Sequence, residues 1–212
     1  MGKNSYSRVL LMRSGRTEWD LLGRVQGAAD LPMAASGSQA AQEQVAQFAG
    51  QKLVAIATAP DEASRATAKL LAQATGVKRV AAVPELGEMA LGLWEGLRYE
   101  ELEQRYCSAG RQFMDNPSGV TAPEGDQVDA YAARVQGALG QVVGCHRAGS
   151  NIGIVVRPIA LGLMRCFLNG ADICELWAML KDRPDAEWYE VPRNDPRLVA
   201  SARRPRRAAS AA

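Results

Sequence analysis

Apolar runs too short for anything but strands alternate with stretches of helical periodicity along most of the chain. Val9 to Met12 is a brief apolar run suited to a buried strand. Asp30-Leu-Pro begins a turn, and Ser36-Gly-Ser-Gln opens a helix to about Ala49, with Ala40, Val45 and Phe48 facing a core. Leu53 to Thr58, nearly continuous in apolar residues, fits a strand covered on both faces. Pro60 and Asp61 then start a helix to about Ala74, because proline is preset for a first turn and an acid complements the positive helix end. Gly76 stops it. Arg79 to Val83 is the next strand, Arg98 to Tyr106 a short charged helix, and Asp126 to about Val143 a longer amphipathic one. Asn151 to Val156 is a strand followed by a helix from Ile159 to Leu168; Ile173 to Leu180 reads as a further helix and Glu187 to Val191 as a last strand. Residues 107–125 carry the least regular pattern, and read equally as a lid over a site or as an ordinary insertion loop. Strands alternating with helices predict an α/β fold, a three-layer sandwich around a largely parallel central sheet.

Composition bounds this picture. At 212 residues the chain supports one good-sized core, and 47% hydrophobic with 23% charged residues is the balance of a globular protein. Charge is uneven: residues 193–212 hold six arginines and one aspartate, a net +5, while 1–192 carry 19 basic and 22 acidic residues, a net −3. The expected organisation is therefore one domain over 1–192 and a basic, disordered tail over 193–212. Such a tail serves either as a solubilising extension, the reading favoured here, or as an arm for nucleic acid or an acidic protein. The four cysteines form no C-x-x-C pair and have no metal-ligand spacing, so they read as buried or free thiols in a reducing compartment. With no apolar run of leader or membrane-span length at the N-terminus, a cytoplasmic location is expected. Neither a cofactor nor a metal is expected. The single histidine, His146, excludes multi-imidazole metal sites and any mechanism pairing one histidine with another. It precedes a strand instead of ending one, which makes it a surface or capping residue.

Chemistry concentrates after the first strand. Arg13, Ser14, Gly15 and Arg16 fall where the backbone must turn, and ligands of open α/β sheets sit outside the carboxyl ends of strands. Arg13 offers a guanidinium that forks onto carboxylate or phosphate oxygens, and Gly15 lets main-chain N–H groups approach an anion. An ordinary turn accounts for the same residues.

The longer stretch LMRSGRTEWDLLGRVQGAADLP resembles the opening signature of the histidine phosphatase superfamily, the phosphoglycerate mutase-like proteins: Arg-His-Gly, any residue, Thr, any residue, Trp-Asn, then Gly-Arg, Gln-Gly and Asp-x-Pro. Arg13, Gly15, Thr17, Trp19, Gly23, Arg24, Gln26, Gly27, Asp30 and Pro32 match; Ser14 stands where the family has its nucleophilic histidine. The resemblance extends over about Arg8 to Gly170. Residues 58–68 align without a gap to Ser-Ser-Pro-Leu-x-Arg-Ala-x-x-Thr-Ala, with Pro60, Thr67 and Ala68 matching and the second phosphate-clamping arginine falling on Ala63. Arg65, two residues on and about 200° round a helix, does not substitute for it. Residues 85–96 resemble Leu-x-Glu, two residues, Gly-x-Trp-Glu-Gly, which puts the family's general acid on Glu88 and scaffold on Gly92, Trp94, Glu95 and Gly96. Asn151 to Pro158 resembles the strand that delivers the second histidine as Val-Val-x-His-Gly, and Arg157 takes that histidine's place. Glu124-Gly-Asp-Gln is a weaker match to a substrate loop written Gly-Gly-Glu-Ser.

The resemblance implies a phosphoglycerate mutase-like fold and a pocket of two arginines, two histidines and an acid around a phosphoryl group. Arg13 and Glu88 are kept; Ser14, Ala63 and Arg157 replace the nucleophile, one clamp and the second histidine. A serine hydroxyl needs an adjacent base, and a guanidinium stays protonated and cannot serve. The leading expectation is thus a catalytically impaired pseudophosphatase that holds a phosphorylated or other anionic ligand, or a protein partner. The alternatives are a phosphomonoesterase or mutase-like enzyme with Ser14 activated by Glu88, and an interaction module working through its tail. For Arg157 two readings stand side by side: an anion clamp beside Arg13, or a plug paired with Glu88 or Asp20.

Overall fold

The computed structural model describes residues 6–192 together with Asp195 and Leu198. Five strands, β1 (Tyr6–Arg13), β2 (Ala55–Thr58), β3 (Val80–Ala82), β4 (Asn151–Val156) and β5 (Ala186–Pro192), form one sheet in the order β3-β2-β4-β1-β5. β1, β2, β3 and β4 pair in parallel, and β5 lies antiparallel to β1 at an edge. The helices are α1 (Glu18–Leu21), α2 (Ala35–Ala46), α3 (Glu62–Thr75), α4 (Tyr99–Arg105), α5 (Cys107–Asp115), α6 (Val128–Gly144) and α7 (Pro158–Asn169).

Strand alternation divides the core in two. Leu10 and Met12 of β1 face Val45 of α2 and Ala68 and Leu71 of α3, whereas Val9 and Leu11 face the larger cluster built with α6 and α7. The sheet is therefore the middle of three layers. At Gly153 of β4 an added Cβ would lie 3.2–3.3 Å from Ile56, Leu53 and Leu71, so helix α3 closes tightly over this strand. Among the described residues no helix is long and apolar enough to cross a membrane.

Three expectations need correction. Residues 107–125 are not irregular throughout: α5 forms and buries Gly110 and Phe113, with Phe113 packed on Trp94 and Trp177 at ring-centre distances of 5.4 and 5.2 Å. Ile173 to Leu180 is a single 3-10 turn, Ile173–Glu175, followed by turns. Arg165, buried in α7, meets the chain that follows these turns: its Nη1 donates to Met179 O (3.0 Å) and its Nη2 to Pro184 O (2.5 Å). The domain boundary at 192 is also short, since Asp195 is buried and Leu198 belongs to the main core, its carbonyl 2.6 Å from where a Cβ on Gly140 of α6 would stand. The rest of the basic tail lies outside the described residues.

Candidate functional site

The carboxyl ends of β1 and β4 lie side by side: Arg13 pairs with Val156, and Ser14 N–H donates to Val156 O at 2.8 Å. The two arginines expected to meet here do so through a third residue. Asp20, in the one-turn helix α1, lies with Oδ1 3.5 Å from Arg13 Nη2 and Oδ2 3.5 Å from Arg157 Nη1. Thr17 caps that turn, its N–H donating to Asp20 Oδ2 at 2.8 Å and its hydroxyl to Gln26 Oε1 at 2.6 Å. Gln26 Nε2 in turn holds Ala29 O at 2.7 Å. Glu95 Oε1 accepts from Ala28 N and Leu91 N, both at 2.9 Å, and lies 2.3 Å from where a Cβ on Gly27 would stand, so only glycine permits this approach at φ +56°. Matching signature residues such as Thr17, Gln26, Gly27 and Glu95 therefore tie the loops that wall the crevice.

Glu88 is enclosed by the protein. Its Oε1 accepts from Tyr131 OH (2.6 Å), Met89 N (3.0 Å) and Ala160 N (3.2 Å), and its Oε2 from Ile159 N (2.8 Å). Ile159 and Ala160 are in the first turn of α7, just after Pro158, so the carboxylate supplies the cap that the Arg157 side chain does not make. Burial raises the Glu88 pKa; the Tyr131 hydrogen bond, the Arg157 charge and the backbone donors oppose the shift without cancelling it. The phenol of Tyr131 is raised too, by burial first and by the Glu88 charge next.

Arg157 is 3% exposed, and its Nε and Nη1 make no hydrogen bond. Of the two partners offered to this side chain by the plug reading, Asp20 is the one it meets; Glu88 forms no ion pair with it among the described residues. Arg157 and Glu88 together line two cavities. One of about 200 Å³ is shared with Asp30, Asp61 and the 27–29 loop, and a smaller one of about 40 Å³ with Asp20, Arg24 and Tyr99. Arg13 and Asp20 line an adjoining cavity of about 340 Å³ with Arg24, Tyr99, Trp177 and Lys181.

Ser14 is buried and lines a different cavity, about 360 Å³, between Gly15, Arg16, residues of α2 and Asp185. Ser14 and Glu88, expected from the resemblance at the nucleophile and general-acid positions, thus line different cavities. The N–H of Gly15 donates to Thr67 Oγ1 at 2.8 Å and is not free for an anion. Its lack of a side chain serves packing instead, since a Cβ would fall 2.2 Å from Met33 Sδ. Ala63 is fully buried in the first turn of α3, below Thr67, whose hydroxyl donates to Ala63 O at 2.8 Å, and Arg65 is exposed. His146 is at the carboxyl end of α6, with Nδ1 2.8 Å from Val142 O, ahead of β4 and remote from its carboxyl end. No cluster of three or more His, Cys, Asp or Glu able to hold a metal occurs among the described residues.

The sequence offered Asp20 as a partner for Arg157 but not as a bridge that also reaches Arg13, and it did not offer Tyr131 as the partner of Glu88. The sign for Asp20 was present: an aspartate stands where the signature has asparagine, in the chain that has an arginine at the second histidine's position. Nothing local marks Tyr131.

The family model of the histidine phosphatase superfamily (branch 1) matches residues 9–202. The curated relatives include phosphoserine phosphatase 1 of Hydrogenobacter thermophilus, 25% identical over 171 residues (81% of this chain and 80% of that one). The probable phosphoglycerate mutase GpmB of Yersinia enterocolitica is 29% identical over 163 residues, covering 77% and 75%. Among solved structures, Bacillus stearothermophilus YhfR superposes with a TM-score of 0.75 at 24% identity, covering 84% of this chain and 85% of that one, a likeness of fold.

Proposed function

The chain belongs to the histidine phosphatase superfamily, and from that premise we propose that it is a pseudophosphatase, holding a small anion at the ends of β1 and β4 without turning over phosphate esters. One observation carries the reading: the superfamily's attacking position holds Ser14, while the only imidazole, His146, caps a helix ahead of β4. Arg157, in the second histidine's place, cannot accept a proton. The rival reading, a phosphomonoesterase in which Glu88 activates Ser14, loses support from geometry. Both Glu88 oxygens are engaged by Tyr131 and the α7 backbone, and Ser14 opens into another cavity. Anion retention draws on the guanidiniums of Arg13 and Arg157, each charge-assisted bond contributing about 1.5–3 kcal/mol.

The test is a panel of phosphomonoesters, including p-nitrophenyl phosphate, phosphoserine and 3-phosphoglycerate. Turnover is expected at the buffer background for the wild type and for Ser14→His, because Ala63 and Arg157 still lack the clamp and the second imidazole. Turnover that Ser14→Ala abolishes, or a phosphohistidine trapped on Ser14→His, overturns the proposal.

A further inference from the structure

We propose that the sheet edge opposite the crevice, together with the arginine-rich end of the chain, is a docking surface for nucleic acid, held through its phosphate backbone. This surface does not depend on what the crevice holds. β1, β2, β3 and β4 run parallel, so all four begin at one edge, and each begins beside a cation. Arg8 is within β1, Lys52 stands ahead of β2, Lys78 and Arg79 ahead of β3, and Arg147 ahead of β4. All five are exposed, and none takes part in an ion pair among the described residues. Within these segments and the adjoining end of β5 the one acid is Glu190, opposite Arg8 in the antiparallel register. Residues 1–192 carry a net charge of −3, so this edge is positive by placement and not by composition. The carboxyl edge gathers Asp20, Asp30, Asp61, Glu88 and Asp185 around the crevice. A run of phosphates is repelled there and drawn to the amino edge.

The geometry suits an extended polyanion. From β1 through β4 and β2 to β3 the edge spans about 14 Å at about 4.8 Å per strand, the length of about four nucleotides. The Arg8 guanidinium lies over Trp188, 4.6 Å from the ring centre, which positions the cation without engaging its N–H donors. Tyr6, 48% exposed at the same edge, offers a ring on which a base can stack. The chain also returns here: β5 ends with Pro192 opposite Tyr6, and Leu198 is seated against Gly140, about one turn before α6 ends. Residues 199–212 follow, with Arg203, Arg204, Arg206 and Arg207 and no acidic side chain. Arginine favours nucleic acid over an anionic lipid surface, because its guanidinium forks onto phosphate and stacks on bases. A lipid surface would call for large apolar side chains, and residues 200–212 contain no Leu, Ile, Phe, Trp or Met.

The test is fluorescence anisotropy of the full chain with labelled single-stranded and duplex DNA of mixed sequence, about 20 nucleotides long. The wild type is expected to bind at least one of them, and to lose about tenfold or more in affinity between about 50 and 200 mM KCl. Arg79→Gln with Arg147→Gln is expected to weaken binding about fivefold or more and to flatten the salt dependence by about one phosphate contact or more. The control pair, Arg65→Gln with Arg111→Gln, exposed on α3 and α5, should change affinity less than about twofold. Changing Arg203, Arg204, Arg206 and Arg207 to serine should weaken binding about tenfold or more. Binding of neither DNA at about 50 mM KCl overturns the proposal. So does an edge variant no weaker than its control, a tail variant that binds like the wild type, or tighter binding to phosphatidylglycerol-containing vesicles than to DNA. If the edge variant does not fold, amide shifts of the wild type decide: on adding DNA, residues 76–80 and 147–151 are expected to move, and shifts confined to the crevice overturn the proposal.

Discussion

Glu88 and Arg157 are two buried charges on the walls of the same two cavities, and the fold treats them in opposite ways. Glu88 receives donors from Tyr131, Met89, Ile159 and Ala160. Arg157 has one ion pair, through Nη1 at 3.5 Å, and no hydrogen bond at Nε or Nη1. An enclosed carboxylate with that many donors is a structural joint between the 3-10 region before it, α6 and the start of α7. An enclosed guanidinium with so few acceptors has hydrogen-bonding capacity to spare, which is what the proposed anion site draws on. Glu88 is thus tied into the fold by its donors, whereas Arg157 keeps donors that the fold leaves unmet.

The largest expected effect follows from the first half of that contrast. Glu88→Ala strips acceptors from the buried Tyr131 hydroxyl and from two first-turn amides of α7, each unsatisfied group costing about 1–3 kcal/mol. Because these groups share one site the losses do not add fully, and a fall in unfolding free energy of about 3 kcal/mol is expected from urea denaturation. A loss below about 1 kcal/mol would mean that Glu88 is not the joint described.

A smaller, pH-dependent effect sharpens the same half. Burial holds the native Glu88 pKa above its ordinary 4.5, so the folded state binds that proton more tightly than the unfolded chain does. The corresponding stability is fully present below about pH 4.5 and is lost as pH rises through the native value. Glu88→Gln cannot ionise. The stability difference, wild type minus Glu88→Gln, is therefore expected to shrink as pH is raised from 4 toward 8 in urea unfolding series. A difference independent of pH would show that Glu88 titrates as it does in the unfolded chain.

How far the sequence foretold this site depends on the reach of each interaction. β4 was legible to the residue, Asn151 to Val156, because a short, mostly apolar run stands between Gly149-Ser150 and Arg157-Pro158. The membership in the superfamily was legible through the fixed spacing of residues such as Thr17, Gln26, Gly27 and Glu95. Arg165 was not, since a lone arginine in α7 looks the same whether it meets water or the carbonyls of Met179 and Pro184. The use of the Gly15 amide by Thr67 spans 52 residues, and the Tyr131–Glu88 bond spans 43. Side-chain contacts across such separations are set by how layers pack, which periodicity does not encode.

The smallest expected effect tests the other half of the contrast. Removing one partner of a buried ion pair normally costs several kcal/mol, because the charge left behind has no compensation. Arg157→Leu should not follow that rule, because Asp20 keeps Arg13 at 3.5 Å and the Thr17 amide at 2.8 Å. The substitution also removes Nε and Nη1, polar groups buried without acceptors, and puts apolar volume beside Ile159 and Pro158. The unfolding free energy is expected to stay unchanged or to rise by about 1 kcal/mol, while any anion-dependent stabilisation of the wild type disappears. A fall of more than about 2 kcal/mol would place Arg157 with Glu88 among the joints of the fold, since a group kept for a ligand should cost stability, or contribute nothing to it, while the ligand is absent.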